Sequence, residues 1–159
     1  MTKALLALHV IAAILAVGPV AVAASMFPAA AGRARSDPEQ RSQLIVLHRI
    51  CNVYAVLGVA VPIFGIATAA SLHVLGSAWL IASMALTAVA AFILAAVILP
   101  AQRRTLADLA LVGDKAADLR ASAPGISHGS LAASAGIFNL LWATVTVLMI
   151  LRPGSTTGV

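Results

Sequence analysis

The chain carries four histidines, His9, His48, His73 and His128, and a single cysteine, Cys51. Imidazoles projecting from facing helices at matched depth are how a membrane protein holds a b-type haem, so depth sorts the four. His48 lies in Val46-Leu47-His48-Arg49-Ile50-Cys51-Asn52, at the mouth of a long uncharged run, and His128 stands at the mouth of another. Both belong to the same end of their runs, and Arg49 beside the first is placed to neutralise a haem propionate. His9 lies about 9 Å along a helix axis from Lys3, toward the opposite side. His73 falls in a turn, so these two are poorly matched.

The competing reading of His48 and His128 is interfacial, with one face of each ring wet, and it is the one preferred here. On it, the 46–52 stretch marks where a helix crosses the membrane boundary, with His48 and Asn52 turned toward the other helices. No HxxxH or HExxH spacing is present. His9 is an ionisable group inside an apolar run, which by default suggests a site. Its neighbours Ala12, Ala13 and Ala16 also let another helix come close, which gives a neutral imidazole hydrogen-bonded to that helix. No resident cofactor is therefore expected, with haem b on His48 and His128, or on His9 singly, as the alternative.

Other chemistries have less to stand on. Cys51 has no partner for an internal disulfide or a thiol pair. Asp37, Glu39, Asp108, Asp114 and Asp118 all lie between the apolar runs, so no acid sits in the membrane to drive a proton-coupled step. There is no glycine-rich phosphate loop, GxSxG elbow or paired acid and base.

The elements that position these residues follow from composition. The 159 residues are 62% hydrophobic and 9% charged, with a mean hydropathy of +1.05; soluble domains carry about 25% charged residues. Charge is missing from Ala4 to Gly32, from Ile50 to Gln102 and from Ala121 to Leu151. A membrane helix needs roughly 20 apolar residues, so the first and third stretches hold one span each and the middle one holds two. The result is an all-α protein, a four-helix transmembrane bundle forming one domain over 1–159, with spans at about 4–31, 48–72, 79–99 and 128–151. Lys3, the apolar run from Leu5 and the small residues Ala21 to Ala24 imitate a secretory signal, but the apolar run continues to Ala31 and reads as a retained helix.

Basic residues set orientation. Arg33, Arg35, Arg41 and Arg49 flank the first connection and Arg103, Arg104, Lys115 and Arg120 the third, against Lys3 and Arg152 at the other ends. This places both termini on the outer side of a bacterial cytoplasmic membrane and makes anionic lipids of the inner face a partner. The sequence pI near 10.8 then reflects that basic ring, and nucleic acid is not a partner.

Local signals fill in the rest. Asp37, Pro38, Glu39 and Gln40 read as the capped start of the second helix, with Gln40 closing a capping box. Pro62, between Gly58 and Gly65, predicts a kink. The turn between spans two and three is expected at Gly76, and the third span is expected to end near Pro100. Leu109, Val112, Ala116 and Leu119, against polar Asp108, Lys115 and Asp118, predict an amphipathic helix on the inner leaflet. Small and polar residues recur along His128, Ala132, Ala135, Asn139, Trp142 and Thr146 and along His48, Asn52, Ala55, Val59 and Pro62. Both seams are expected to face inward, with Asn52 and Asn139 bonded across helices or to backbone near the kink.

Leu8-His9, Ser77-Ala78-Trp79-Leu80, Leu99-Pro100-Ala101-Gln102-Arg103-Arg104 and Leu148-Met149-Ile150-Leu151-Arg152-Pro153 occur in an order and spacing that resembles an uncharacterised bacterial family of four-helix integral membrane proteins, a domain of unknown function. The resemblance covers most of the chain and implies the four-helix architecture. In general layout it is also similar to the copper-resistance D and haem-biosynthetic J membrane families, which carry a histidine in the first helix; that likeness implies a haem or copper role for His9. His48 and Asn52 match no motif of those families. The reading that follows is a non-enzymatic scaffold or accessory subunit that packs against itself or a larger membrane complex, with a haem-binding or haem-handling protein as the alternative.

Overall fold

The computed structural model describes residues 2–34, 37, 40–110 and 128–154. The described residues form helices and turns and no strands. In chain order these are α1 (Thr2–Ala34), α2 (Arg41–Leu57), α3 (Ala60–Ser71), α4 (Ala78–Phe92), a π-helical segment (Ile93–Ile98), α5 (Leu99–Ala110) and α6 (His128–Leu151). α2 with α3, and α4 through α5, are each one broken or widened membrane-length rod, so four rods are long and apolar enough to cross a bilayer. The second begins at Arg41 and the third runs on to Ala110, both longer than the expected spans.

α1 packs against α2, α3 and α6; α4 packs against α6, and α5 against α2. The main core lies toward the α1–α2 corner, where Val20, Ala24, Phe27, Ala31 and Ala34 of α1 meet Leu44, Leu47 and Cys51, Leu94 and Ile98, and Leu131, Ala135 and Phe138. A small second cluster of Ala69, Trp79 and Leu80, with Val74 and Met149 against it, holds the opposite end. There the Arg152 guanidinium lies 5.7 Å from the centre of the Trp79 ring. Outward faces are apolar: Ile14, Leu15, Val56, Phe92, Leu140 and Ile150 are all more than 60% exposed. Where lipid is the solvent such faces are the stable arrangement, since the helices satisfy their backbone polar groups internally.

The second rod breaks at Gly58 and Val59, one turn ahead of Pro62. Proline has no N–H, and its ring collides with the carbonyl four residues back, which is that of Gly58. That carbonyl turns instead to the Val61 amide, at 3.1 Å. The expected kink is thus present, displaced to the residues that Pro62 disturbs.

Three local expectations are corrected. The turn between spans two and three is made by His73, at φ 58°, and not by Gly76. The Val74 amide bonds the Ala69 carbonyl and the His73 amide that of Ala70, each at 3.1 Å, so α3 ends in a Schellman motif with histidine where glycine usually stands. At the second helix start, Gln40 Nε2 reaches Asp37 Oδ2 (3.2 Å) and not the backbone, because the Asp37 amide already donates to the Arg33 carbonyl (3.1 Å). The third helix does not stop near Pro100. The π-helical turns directly before it widen the helix where the ring would otherwise strike a carbonyl, and the helix continues. The later half of the expected amphipathic helix, from Val112 to Leu119, lies outside the described residues.

The seams are rotated from expectation. In α6 the buried face is Leu131, Ala135, Phe138 and Val145, with Ala132 and Thr146 exposed. In the second rod it is Leu44, Leu47, Cys51 and Val61, while Asn52, Val59 and Pro62 face outward. Leu and Phe side chains of these rods fill the space left between them by the buried alanines of α1 and Ala135, while Ala132 and Thr146 lie outside.

Candidate functional site

The π segment has a consequence for the site. Carrying the inward face of α4 (Trp79, Ser83, Ala90) forward at 3.6 residues per turn would bring Arg104 and Asp108 to the inside. The widened turns shift the register by one residue, so Gln102 and Leu109 are buried while Arg103, Arg104 and Asp108 stay outside. Gln102 is fully buried, as is Cys51.

Gln102 then links three side chains across the α2–α5 contact. Its Nε2 points to Cys51 Sγ at 3.5 Å, and its Oε1 lies 3.0 Å from His48 Nδ1. An amide oxygen only accepts, so His48 donates from Nδ1. One step outward, Arg103 Nη2 donates to Asn52 Oδ1 at 3.3 Å. These bonds hold α2 and α5 together at the end of the bundle that carries Arg49, Arg103 and Arg104. Arg49, one turn before Asn52, is exposed, and no described hydrogen bond or ion pair engages it.

His9 occupies a separate place, near the other end. Its Nδ1 lies 2.9 Å from the Val61 carbonyl, so this ring too is protonated on Nδ1. Its Cε1 sits 3.0 Å from where a Cβ on Gly65 would stand. A hydrogen bond to a neighbouring helix is what the alanine-rich surroundings predict, and its acceptor belongs to the proline-broken rod. His73 Nδ1 bonds the Ala70 carbonyl (3.0 Å) within its own turn. His128 opens α6 at the same end as His48, but its side chain lies outside the described residues, so their pairing does too. Among the described residues no group of three or more His, Cys, Asp or Glu side chains is placed to hold a metal ion.

Asn139 Nδ2 donates to Ser25 Oγ at 2.9 Å, tying α6 to α1 as its seam position suggests, while Asn52 bonds Arg103 at the boundary. The residue that sequence reasoning missed is Gln102. It ends the long uncharged run beside Arg103, and a one-residue register shift leaves no mark in apolar periodicity.

A family model described as "Predicted integral membrane protein (DUF2269)" matches residues 3–153. Neither a curated protein nor a solved structure matches the chain.

Proposed function

The chain belongs to this family of predicted integral membrane proteins, and on that premise we propose that it is a non-enzymatic component of a bacterial cytoplasmic membrane that packs against itself or a larger membrane complex. The observation that carries this reading is the open surface of its rods. Only 11–22% of the most apolar stretch of each is buried within the chain, and a Cβ on Gly18, Gly32 or Gly136 would meet nothing within 4 Å. Small residues let helix backbones approach closely in lipid, where close packing rather than hydrophobicity drives association. The basic end is read as cytoplasmic, facing anionic lipid, with both termini outside. The test is cysteine cross-linking in native membranes, using Gly136→Cys with Cys51→Ala. Oxidation is expected to yield a covalent adduct, either a dimer or a larger species, that Ile14→Cys does not yield; a monomer at every outward position sinks the reading.

A second reading, haem b, draws on the two oriented imidazoles. A ligating histidine commonly donates its other N–H to a fixed acceptor, and His48 does so to Gln102 and His9 to Val61. His48 with His128, or His9 alone, would supply the axial nitrogen and Arg49 a counter-charge for a propionate. A Soret band in the purified protein that vanishes in His48→Ala or His9→Ala supports this reading, and a colourless protein rejects it.

A further inference from the structure

We infer that Arg49 and Arg103 form a binding site for the phosphate groups of an anionic phospholipid, at the boundary where α2 and α5 meet. The Arg103 guanidinium is held on the flank of α2 by Asn52 Oδ1 at 3.3 Å. Arg49 lies three residues before Asn52, so it occupies the same flank about 4.5 Å nearer the basic end of that helix. Both arginines are exposed. Two exposed guanidinium groups along one flank repel each other, and an anion between them removes that repulsion. Guanidinium binds phosphate oxygens in a bidentate fork, and basic surfaces between membrane helices are suited to anionic headgroups. Below the pair the flank is apolar, through Val53, Val56 and Leu57, as an acyl chain requires.

The occupant is a lipid because the pair sits where an apolar, membrane-facing surface meets the basic end. A headgroup with two phosphates matches two guanidinium groups better than one with a single phosphate. The inference rests on the reading of the basic end as lying at a headgroup layer. Arg104 lies a further 100° around α5 and Arg152 at the opposite end, so both serve as control cations.

The experiment is native mass spectrometry of the detergent-purified full chain, titrated separately with diphosphatidylglycerol, phosphatidylglycerol and phosphatidylcholine. Tighter retention of the anionic lipids is expected, the two-phosphate lipid most of all. Arg49→Gln and Arg103→Gln are each expected to weaken it about five-fold, the factor that corresponds to the usual contribution of one arginine near anionic lipid. Asn52→Ala, which leaves net charge unchanged, is expected to weaken it in the same direction, whereas Arg104→Gln and Arg152→Gln leave it within two-fold. Equal retention of phosphatidylcholine overturns the site, as does a loss that follows net charge regardless of position. A reporter fused near residue 154 separates this from the orientation: a cytoplasmic terminus refutes the proposed orientation, while the lipid site stands or falls on the titration.

Discussion

Gln102 is fully buried and accepts the Nδ1 proton of His48 across 3.0 Å. The two lie on different rods, and the bond exists only because the π-helical turns of Ile93–Ile98 rotate Gln102 inward. Its second contact, to Cys51 Sγ at 3.5 Å, uses the amide's donor side, so one side chain serves an imidazole and a thiol at once. The bond is thus a direct readout of helix register as well as a tie between spans two and three.

Removing it should be measurable as stability. Gln102→Ala leaves a half-buried imidazole N–H without its acceptor and opens a void beside Cys51, a loss of about 2 kcal/mol. A double-mutant cycle with His48→Ala isolates the bond itself, for which about 0.6 to 1.7 kcal/mol is expected from interhelical hydrogen bonds in membranes. Reversible unfolding in mixed detergent micelles gives both numbers. Strictly additive single variants would show that the bond contributes nothing.

At the other end, Gly65 seats the His9 ring. A Cβ there would stand 3.0 Å from His9 Cε1 and 3.2 Å from Nδ1, and the ring cannot step back without leaving the Val61 carbonyl at 2.9 Å. Gly65→Ala is therefore expected to destabilise the wild-type background by about 1 to 3 kcal/mol, the usual range for overpacking. In a His9→Ala background most of that cost should disappear, because the clashing ring is gone. Thermal denaturation of the two single variants and the double variant decides it, and an equal cost in both backgrounds would exclude the ring as the cause.

His73 offers the opposite sign. It adopts φ 58° at the one position of a Schellman motif where glycine is favoured, and a side chain in that conformation costs roughly 1 kcal/mol. His73→Gly should stabilise the protein by about that much, or about 2 to 4 °C in melting temperature for a chain of this size. The His73 Nδ1 bond to the Ala70 carbonyl returns part of the strain, so His73→Ala should be less stable than either. A melting temperature for His73→Gly below the wild type would mean that this bond outweighs the backbone strain.

The four rods were legible because lipid solvation imposes a crude rule, long runs without charge, and Arg33, Arg49, Arg103 and Arg152 mark the run ends directly. The kink was legible through Pro62, whose lost N–H acts at a fixed distance along the chain. Phase was not. The inward face of α6 passes through Leu131 and Phe138 instead of Ala132 and Thr146 because apolar residues occur on every side of these helices, so polarity carries little information about direction. Gln102 was hidden for the same reason, since its burial depends on a register shift among Ile93, Leu94, Ala95, Ala96, Val97 and Ile98, any of which suits an ordinary α-helix. His48 and His9 were recognisable as candidates from type alone, yet their acceptors, an amide 54 residues away and a backbone carbonyl 52 residues away, belong to tertiary structure.

That register shift can be tested by taking it out. Deleting Ala96, an exposed residue inside the π segment, should remove the one extra residue that the widened turns accommodate, restoring 3.6 residues per turn while everything after it keeps its direction. Leu109, 6% exposed in the native protein, would stay in, and Asp108 would stay out. With Cys51→Ala to remove the native thiol, a cysteine replacing Leu109 should be protected from a membrane-permeant maleimide, and one replacing Asp108 labelled, in the native chain and the deletion variant alike. The His48–Gln102 bond is kept, so a stability loss smaller than that of Gln102→Ala is expected. Labelling of the cysteine at 109 in the deletion variant would mean that the widened turns do not carry the extra residue and do not set the direction of Gln102.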